Sequence, residues 1–412
     1  MASEQSTIQG HCDPAFKAVR ETFEESFARG RELGAGVAVY ADGRLVAELW
    51  GGVADRRTGR PWLRDTPCAA FSCTKAVTAT AALLLAERGA YDLTGPVAEW
   101  WPEFAAHGKD RTTAEHLLTH QAGLPAFDDP VTAEDAADPA AMAALLAAQA
   151  PLWTPGEGHG YHAVTFGWLA GEIVRRHAGC TVGEFVRREF AGELDLWIGA
   201  PPQVIERAAR LSADRRPPSA RTGTRADAQA DEARGGAQAG ASAEASAGRE
   251  AASADAAKTA APDDLLNRAL NRPSTGKGGF NNPVVLAGGW PGAGMVTTAS
   301  ALATFYRDLI GGRILAPDTL REALRRRVQG PDKVLTVETS FGLGYMRPAT
   351  TFFMPKAARE TAFGHSGAGG SIGMGDVEAG VAVAYIPNLL GGRFSIDLRA
   401  HRLVEAVYSS LG

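Results

Sequence analysis

A serine and a lysine three residues apart, in Ser72-Cys73-Thr74-Lys75, are the side chains best placed for chemistry in this sequence. Three residues are close to one helical turn, so the hydroxyl and the amine would share a face. A serine must lose its proton to attack a carbonyl, and a lysine accepts that proton only when its pKa falls toward neutrality. The spacing predicts a Ser-Lys pair for acyl transfer, while a helix-capping serine beside a surface lysine is the alternative.

Two other serine motifs compete with this one. Residues 274–277 also read S-x-x-K, but they lie in a stretch rich in Gly and Pro where nothing fixes the two side chains on one face. Residues 369–373 match G-x-S-x-G, the strand-to-helix turn that carries a nucleophile such as Ser371 in α/β-hydrolases. A strand-like run follows it instead of a helix, and His401, its partner downstream, falls in a predicted helix. Ser371 is therefore the weaker candidate nucleophile.

Four further residues are chemically suggestive. His116 and His120 are four residues apart on a predicted helix, but there is no H-E-x-x-H motif or third ligand, so we expect no metal. Trp290 lies among glycines and is predicted either to form an aromatic wall of a substrate cleft or simply to pack in the core. His162 is interpreted as a side chain at the rim of the cleft.

The candidate serine lies at the start of a predicted helix. Residues 74–87 are rich in Ala and Leu, lack Gly and Pro, and are followed by Gly89. Further helices are predicted over 113–121, 140–149 and 166–177, so the middle of the chain is mainly helical.

Strands are predicted near both ends of the chain. An amphipathic helix over 14–33 precedes two β-rich runs, 36–40 and 45–50, joined by an Asp42-Gly43 turn that is typical of a hairpin. In the C-terminal part, strands are predicted over 341–345, 361–364, 371–374 and 381–386, between helices that end near residues 309 and 409.

This order predicts an α/β (α+β) protein in which an antiparallel sheet, flanked by the N- and C-terminal helices, receives a helical insertion. The sheet domain would comprise residues 13–65 and 285–412, and the helical domain, which carries Ser72, residues 66–211 and 265–284. Residues 212–264 are dominated by small and charged side chains that bury too little apolar area to offset ordering entropy. We interpret them as a disordered insertion, with a mobile lid as the alternative.

Composition excludes several classes of protein. The 412 residues carry a net charge of -5 without a long basic run, which argues against partners such as nucleic acid or an anionic membrane. No stretch is apolar enough for a membrane helix, and the first residues show no signal sequence, so a cytoplasmic location is expected. The four cysteines form no pattern typical of disulfides or zinc and are predicted to be reduced thiols.

Three segments together resemble the serine β-lactamase-like superfamily, which includes class C β-lactamases, penicillin-binding proteins and family VIII carboxylesterases. They are residues 71–77 (FSCTKAV), 93–101 and 115–124 (EHLLTHQAGL). The resemblance extends from Gly34 to the C-terminus, apart from the insertion. It implies that Ser72 is acylated, without a metal or cofactor.

The resemblance also implies roles for two further motifs. Tyr161-His162-Ala163 matches the family's Y-x-N-type motif, whose tyrosine shares the base role with Lys75. His365-Ser366-Gly367 matches the K/H-[ST]-G strand that lines the far wall of the cleft. The backbone N–H groups of Ser72 and Ala368 would hold the oxyanion, where each such donor contributes about 3 kcal/mol.

Two departures from the family pattern bear on the substrate. Ala163 replaces an Asn that binds the amide side chain of a β-lactam, and His365 replaces a Lys that binds its carboxylate. We therefore predict a carboxylesterase for small or short-chain esters. A β-lactamase or D-amino-acid peptidase or amidase is the first alternative, and a non-catalytic binding protein of this fold is the second. The oligomeric state is left open.

Overall fold

The computed structural model describes residues 8–214, 264–391 and 397–411. Its strands are β1 (Gln9–Cys12), β2 (Gly34–Ala41), β3 (Arg44–Asp55), β4 (Arg60–Pro61), β5 (Cys68–Ala69), β6 (Leu196–Ile198), β7 (Ser212–Ala213), β8 (Met295–Thr297), β9 (Val328–Pro331), β10 (Glu338–Phe341), β11 (Phe363–Ser366), β12 (Ile372–Asp376), β13 (Val381–Pro387) and β14 (Leu389–Leu390).

The α-helices are α1 (Lys17–Ala28), α2 (Thr74–Glu87), α3 (Ala114–Leu118), α4 (Pro139–Ala148), α5 (Phe166–Ala178), α6 (Val182–Val186), α7 (Pro202–Arg207), α8 (Leu265–Asn271), α9 (Pro283–Gly288), α10 (Ala299–Ile310), α11 (Pro317–Ala323) and α12 (Leu398–Ser409). Short 3₁₀ segments lie at Pro14–Phe16, Phe71–Cys73, Val97–Glu99, Pro102–Gly108, Asp135–Ala137, Gly279–Asn281 and Lys356–Ala358, and a π-helical turn at Arg187–Ala191.

A seven-stranded antiparallel sheet, built from both ends of the chain, organises the fold. Its order is β1-β3-β2-β13-β12-β11, with β4 paired to β3. The two ends meet where β13 pairs with β2, with Val383 opposite Val39. Every residue of β2 and β13 is buried. Helix α10 packs on β2, β12 and β13, while α1, in contact with α12, packs on β3 and β1. The predicted α+β class, with terminal helices flanking an antiparallel sheet, is confirmed.

Helix α2 lies in the interior of the helical part, and the Ser-Lys motif spans the 3₁₀ turn Phe71–Cys73 and the first residues of α2. Residues from Thr74 to Leu85 are all buried, as expected for a helix that is apolar on every side. It packs against α5 and α6, and its first turn contacts β11, the edge strand of the sheet. Helix α2 therefore joins the helical part of the molecule to the sheet at the motif.

Several predicted elements are confirmed closely. Helix α2 has the predicted bounds, α12 ends at the predicted residue, and β2 and β3 form the hairpin, with Asp42 and Gly43 at φ angles of 47° and 74°. Such positive φ values at both central residues are what a tight two-residue hairpin turn requires. The four cysteines all lie in the described part of the chain and are free thiols, as predicted.

Three predicted elements are wrong in extent. The helix predicted over 14–33 is a 3₁₀ segment followed by α1, which ends at Ala28. The strand predicted over 341–345 is β10, which ends at Phe341, because Gly344 turns at a φ of 79° to pass α2. A Cβ atom at Gly344 would lie 2.2 Å from that of Ala79, so the sequence after Phe341 is shaped by packing against α2. The helix predicted over 113–121 is the shorter α3. Of the segment interpreted as a disordered insertion or lid, residues 215–263 lie outside the described residues.

Candidate active site

The Ser72 hydroxyl lies in a tight turn that joins β5 to α2. Phe71, just before it, has a φ of 49°, a left-handed conformation that is uncommon for a residue with a large side chain. The Thr74 hydroxyl donates to the Phe71 carbonyl and accepts from the N–H of Met295 (3.0 Å). Ser72 itself is partly exposed although both its neighbours are buried. The turn thus presents the hydroxyl to solvent on a rigid support.

Lys75 lies one turn further along α2, completely buried, with its Nζ 3.2 Å from Ser72 Oγ. The same nitrogen donates to the carbonyls of Ala163 (2.7 Å) and Gly292 (2.8 Å). Burial lowers the pKa of Lys75 to about 7, since it penalises the charged form. A neutral amine has two N–H groups and one lone pair. In the ammonium form the third N–H donates to Ser72 Oγ, and in the neutral form the two carbonyls take both N–H groups and leave the lone pair for the serine hydroxyl.

Close backbone contact places one of these carbonyls. A Cβ atom at Gly167, in α5, would lie 2.1 Å from the nitrogen of Gly292, so only glycine allows the helix to approach this segment so closely. On the preceding residue, the Pro291 carbonyl accepts from the hydroxyl of Thr78, one turn beyond Lys75 in α2. The segment before β8 is therefore held between α2 and α5.

Tyr161 completes a cluster around the Ser-Lys pair. Its ring centroid is 4.8 Å from Lys75 Nζ and lies parallel to Phe341 at 6.2 Å. Burial raises the pKa of Tyr161, and a hydrogen bond with Ser72 opposes that rise only in part. At neutral pH the side chain is thus a protonated phenol beside the Ser-Lys pair. The structure brings together the three residues predicted to be catalytic.

Two buried histidines support the segment that carries Tyr161. His162 Nδ1 donates to the Gly160 carbonyl (2.6 Å), while its Nε2 accepts from the N–H of Leu124 (3.0 Å). The N–H of His162 donates to His120 Nδ1 (3.1 Å), and burial lowers the pKa of His162 to about 3. His162 is 1% exposed, so the prediction that it lies at the cleft rim is wrong.

His116 and His120, considered above as a metal pair, have separate local roles. The Nδ1 atom of His116 accepts from the N–H of Thr113 in the cap of α3. His120, with a φ of 61°, packs its ring against Phe341 and Tyr161. Within the described ranges, no three His, Cys, Asp or Glu side chains are grouped to hold a metal ion.

The third predicted motif lies at the end of edge strand β11, beside the serine turn. The carbonyl of His365 accepts from Cys73 Sγ (3.3 Å), and the ring of His365 is 6.0 Å from that of Tyr161. Nδ1 of His365 donates to the Ser366 carbonyl (2.7 Å), and burial lowers the pKa of His365 to about 3. His365 therefore contributes no positive charge at neutral pH.

Residues after His365 form a tight turn next to the serine. The Ser366 hydroxyl points away from it and donates to the Thr351 carbonyl (3.0 Å). The N–H of Gly367 donates to the Ser371 carbonyl (2.7 Å), and a Cβ atom at Gly367 would lie 2.5 Å from the Ala70 carbonyl. Ala368, the predicted oxyanion donor, is the exposed residue of this turn.

The remaining candidates are separate from this cluster. Trp290 is 1% exposed and packs against Trp168 and Phe280, so it offers almost no surface to a substrate; of the two sequence interpretations, the structure favours core packing. Ser371 is buried and donates to the Ala70 carbonyl (3.1 Å), where it braces the serine turn. Ser274 of the second S-x-x-K motif is exposed and accepts from the N–H of Gly276.

Sequence reasoning missed the groups that act through the backbone. The carbonyls of Ala163 and Gly292 hold Lys75, but no side-chain pattern signals a carbonyl. Asp332 was also missed, although it is 2% exposed and accepts from the N–H of Tyr161 (3.0 Å). Its signal was weak, since Asp332 is 171 residues away from Tyr161 in a loop without a motif.

Comparison with known proteins identifies the family to which this chain belongs. A family model described as Beta-lactamase matches residues 19–407. The chain belongs to the β-lactamase family. It is a serine hydrolase with the β-lactamase fold, as the three motifs predicted.

Relatives of this β-lactamase-family chain carry more specific names. It is 34% identical over 393 residues to the Esterase/beta-lactamase LipL of Mycobacterium tuberculosis, covering 93% of this chain and 83% of that protein. A crystal structure of a family VIII carboxylesterase aligns with a TM-score of 0.81 at 31% identity, over 98% of this chain and 100% of the other. A penicillin-binding protein homologue from Caulobacter crescentus aligns with a TM-score of 0.79 at 37% identity, with the same coverage.

Proposed function

We propose that this serine hydrolase is a carboxylesterase that cleaves small or short-chain esters through an acyl-enzyme on Ser72. The observation that carries the proposal is the environment of Lys75. Two carbonyls at 2.7 and 2.8 Å accept its N–H groups and leave its lone pair for the serine proton. A pKa of about 7 keeps about half of this amine neutral at pH 7.

Acylation then proceeds by proton transfers between neighbouring groups, of which Ser72 and Lys75 are already hydrogen-bonded. Ser72 Oγ attacks the ester carbonyl carbon while its proton passes to Lys75 Nζ, and the carbonyl oxygen becomes an oxyanion. The N–H groups of Ser72 and Ala368 would bind that oxyanion. The Tyr161 phenol, protonated because burial raises its pKa, donates to the leaving oxygen as the C–O bond breaks and the alcohol departs. The proton held by Lys75 then passes to the Tyr161 phenolate, which restores the neutral amine and the phenol. Water attacks the acyl-enzyme carbonyl while it gives a proton to Lys75, and that proton returns to Ser72 Oγ as the acid departs.

The side chains beyond the cluster favour an uncharged substrate. His365 stands where the family pattern has a lysine for a carboxylate, and its pKa of about 3 keeps it neutral at neutral pH. Ala163 offers no side-chain amide to recognise a β-lactam, and its carbonyl is already engaged with Lys75. The relatives named as esterases support the same choice.

Hydrolysis of β-lactams is the second candidate. The Mycobacterium tuberculosis relative is named both esterase and β-lactamase, and the mechanism of acylation is the same for both substrates. The two functions differ in what the cleft must bind, because most β-lactams carry a carboxylate and simple esters do not. We therefore expect β-lactam turnover to be slower than ester turnover.

The test compares p-nitrophenyl esters of increasing acyl length with nitrocefin, using wild type and Ser72→Ala. We expect the highest kcat/KM with short acyl chains, and one fluorophosphonate adduct per chain by intact mass. Both should disappear in Ser72→Ala without loss of folded structure by circular dichroism. Activity that survives in Ser72→Ala contradicts the assignment of Ser72, and faster turnover of nitrocefin than of any ester contradicts the esterase assignment.

The cellular location belongs to the proposal as well. In the part of the chain that the structure covers, no helix combines the length and apolar character needed to cross a membrane. A cytoplasmic location stays a prediction from the sequence. Fractionation of cells that express the full chain would test it, and recovery outside the cytoplasm would contradict it.

A further inference from the structure

A buried carboxylate outside the three motifs holds the backbone of Tyr161. Asp332 Oδ1 accepts from the N–H groups of Tyr161 (3.0 Å), Val334 (2.8 Å) and Leu335 (2.8 Å). The last two bonds are local and would form in an isolated turn. The bond from Tyr161 crosses 171 residues of sequence, so it needs a specific tertiary arrangement.

The second carboxylate oxygen of Asp332 connects it to His159, at the other end of the segment of residues 159–161. Asp332 Oδ2 accepts from the hydroxyl of Thr339 (3.1 Å), so the Thr339 oxygen accepts in turn from His159 Nε2 (2.8 Å). The N–H of Lys333 donates to the His159 carbonyl (3.1 Å). Residues 159–161 are thus fixed at both ends by one loop, and the carboxylate is the centre of that connection.

The same stretch of chain also holds the ring of Tyr161. Phe341, which ends β10 just after this loop, lies parallel to the tyrosine ring with 10° between their planes. The backbone and the ring of Tyr161 are therefore both held in place by contacts with residues 332–341. A displacement of this loop would move the phenol relative to Ser72.

We propose that Asp332 is a positioning residue that sets the placement of the Tyr161 phenol against Ser72. The inference rests on the proposed function, in which Tyr161 donates a proton to the leaving group. Asp332 acts through the Tyr161 backbone and does not touch the reacting atoms. Misplacement of a catalytic group by about 1 Å can cost about 100-fold in rate, so even a small shift of this anchor would be measurable.

Position and charge can be separated with two conservative variants. Asp332→Asn keeps the side-chain length and an oxygen that accepts from the Tyr161 N–H, but removes the charge. Asp332→Glu keeps the charge and adds one methylene, which displaces the anchored segment. We expect Asp332→Glu to lower kcat for a p-nitrophenyl ester about 10- to 100-fold with KM within about threefold, and Asp332→Asn to remain within about threefold of wild type.

A second buried aspartate gives a matched control. Asp376 accepts from the N–H groups of Glu378 and Ala379 in its own turn and from the hydroxyls of Thr361 and Tyr408. It has the same kinds of local donor as Asp332 but no contact with Tyr161. We expect Asp376→Glu to lower the melting temperature as Asp332→Glu does while leaving kcat within about twofold.

The background variant Tyr161→Phe distinguishes failure of this inference from failure of the proposed function. If Asp332 acts through the phenol, Asp332→Glu should slow Tyr161→Phe by less than about twofold. Wild-type kcat in Tyr161→Phe would overturn the role of Tyr161 in the proposed function. Three outcomes would each overturn the positioning role of Asp332. The first is a lowered kcat in Tyr161→Phe while the kcat of Asp332→Glu stays within threefold of wild type. The others are additive losses of kcat in the double variant, or a loss of kcat in Asp376→Glu equal to that in Asp332→Glu.

Discussion

Replacement of Lys75 by Met should abolish ester hydrolysis and, at the same time, remove a large dependence of stability on pH. The amine of Lys75 is completely buried, and burial lowers its pKa from the ordinary 10.5 to about 7. In the unfolded chain the same amine is hydrated and holds its proton to about pH 10.5. Between pH 7 and pH 10.5 the unfolded state therefore binds more protons, so the stability of wild type rises with pH across this window.

The size of the effect follows from the two pKa values. A difference of about 3.5 units between 10.5 and 7 corresponds to about 5 kcal/mol of unfavourable folding free energy that is fully present below pH 7. Between pH 6 and pH 10, about 4 kcal/mol of this cost disappears from wild type. Lys75→Met cannot titrate, and its lost hydrogen bonds to Ala163 and Gly292 change stability by an amount that does not depend on pH.

Urea unfolding of wild type and Lys75→Met at several pH values between 6 and 10 measures this directly. The free energy of unfolding of wild type minus that of Lys75→Met should rise by about 4 kcal/mol across the range. A difference that stays constant with pH would refute the argument, since it would mean that Lys75 keeps its proton in the native state.

Lys109 offers a comparison within the same protein. Its buried amine donates to the carbonyls of Ala106, Ala147 and Gln149, and burial lowers its pKa only to about 8. Three carbonyls suit an ammonium, whereas Lys75 has two carbonyls and a hydroxyl. Lys109→Met should therefore change the pH dependence of stability over a narrower range, beginning near pH 8, and should leave ester hydrolysis intact.

Three further predictions concern the support of the site. The rate of acylation by a fluorophosphonate should rise with pH through about 7, as Lys75 becomes neutral, and a rate that falls over this range would contradict its role as base. Gly167→Ala should destabilise the protein by about 1 to 3 kcal/mol in urea unfolding and slow acylation, because its Cβ atom would lie 2.1 Å from the Gly292 nitrogen; an unchanged protein would show that this contact is not tight. Ser371→Ala should keep ester hydrolysis within about threefold and lower the melting temperature by a few degrees, since it loses a buried hydrogen bond to Ala70; loss of labelling instead would make Ser371 the nucleophile.

The local features of the site could be predicted from the sequence. Helix α2 could be predicted because residues 74–87 have high helix propensity and end before Gly89, so the spacing of Ser72 and Lys75 fixed their common face. The β2–β3 hairpin was equally readable from its Asp42-Gly43 turn. Both features depend on residues that are close together in the chain.

Predictions failed where a distant contact decides the local conformation. The strand predicted after Phe341 is absent because Gly344 must pass Ala79 on α2, which no pattern in residues 341–345 reports. His162 was expected at the cleft rim, but its two ring nitrogens are taken up inside the protein by backbone groups of Gly160 and Leu124.

The sequence by itself indicated which groups we propose to react, namely a serine and a lysine about one helical turn apart, with Tyr161 and His365 added by resemblance to a family. The tertiary structure decided their chemical state. The pKa of Lys75 depends on burial and on the carbonyls of Ala163 and Gly292, 88 and 217 residues away in the chain. The amine of Lys75 loses its proton near neutral pH because water is excluded from it, and the assembled fold is what excludes that water.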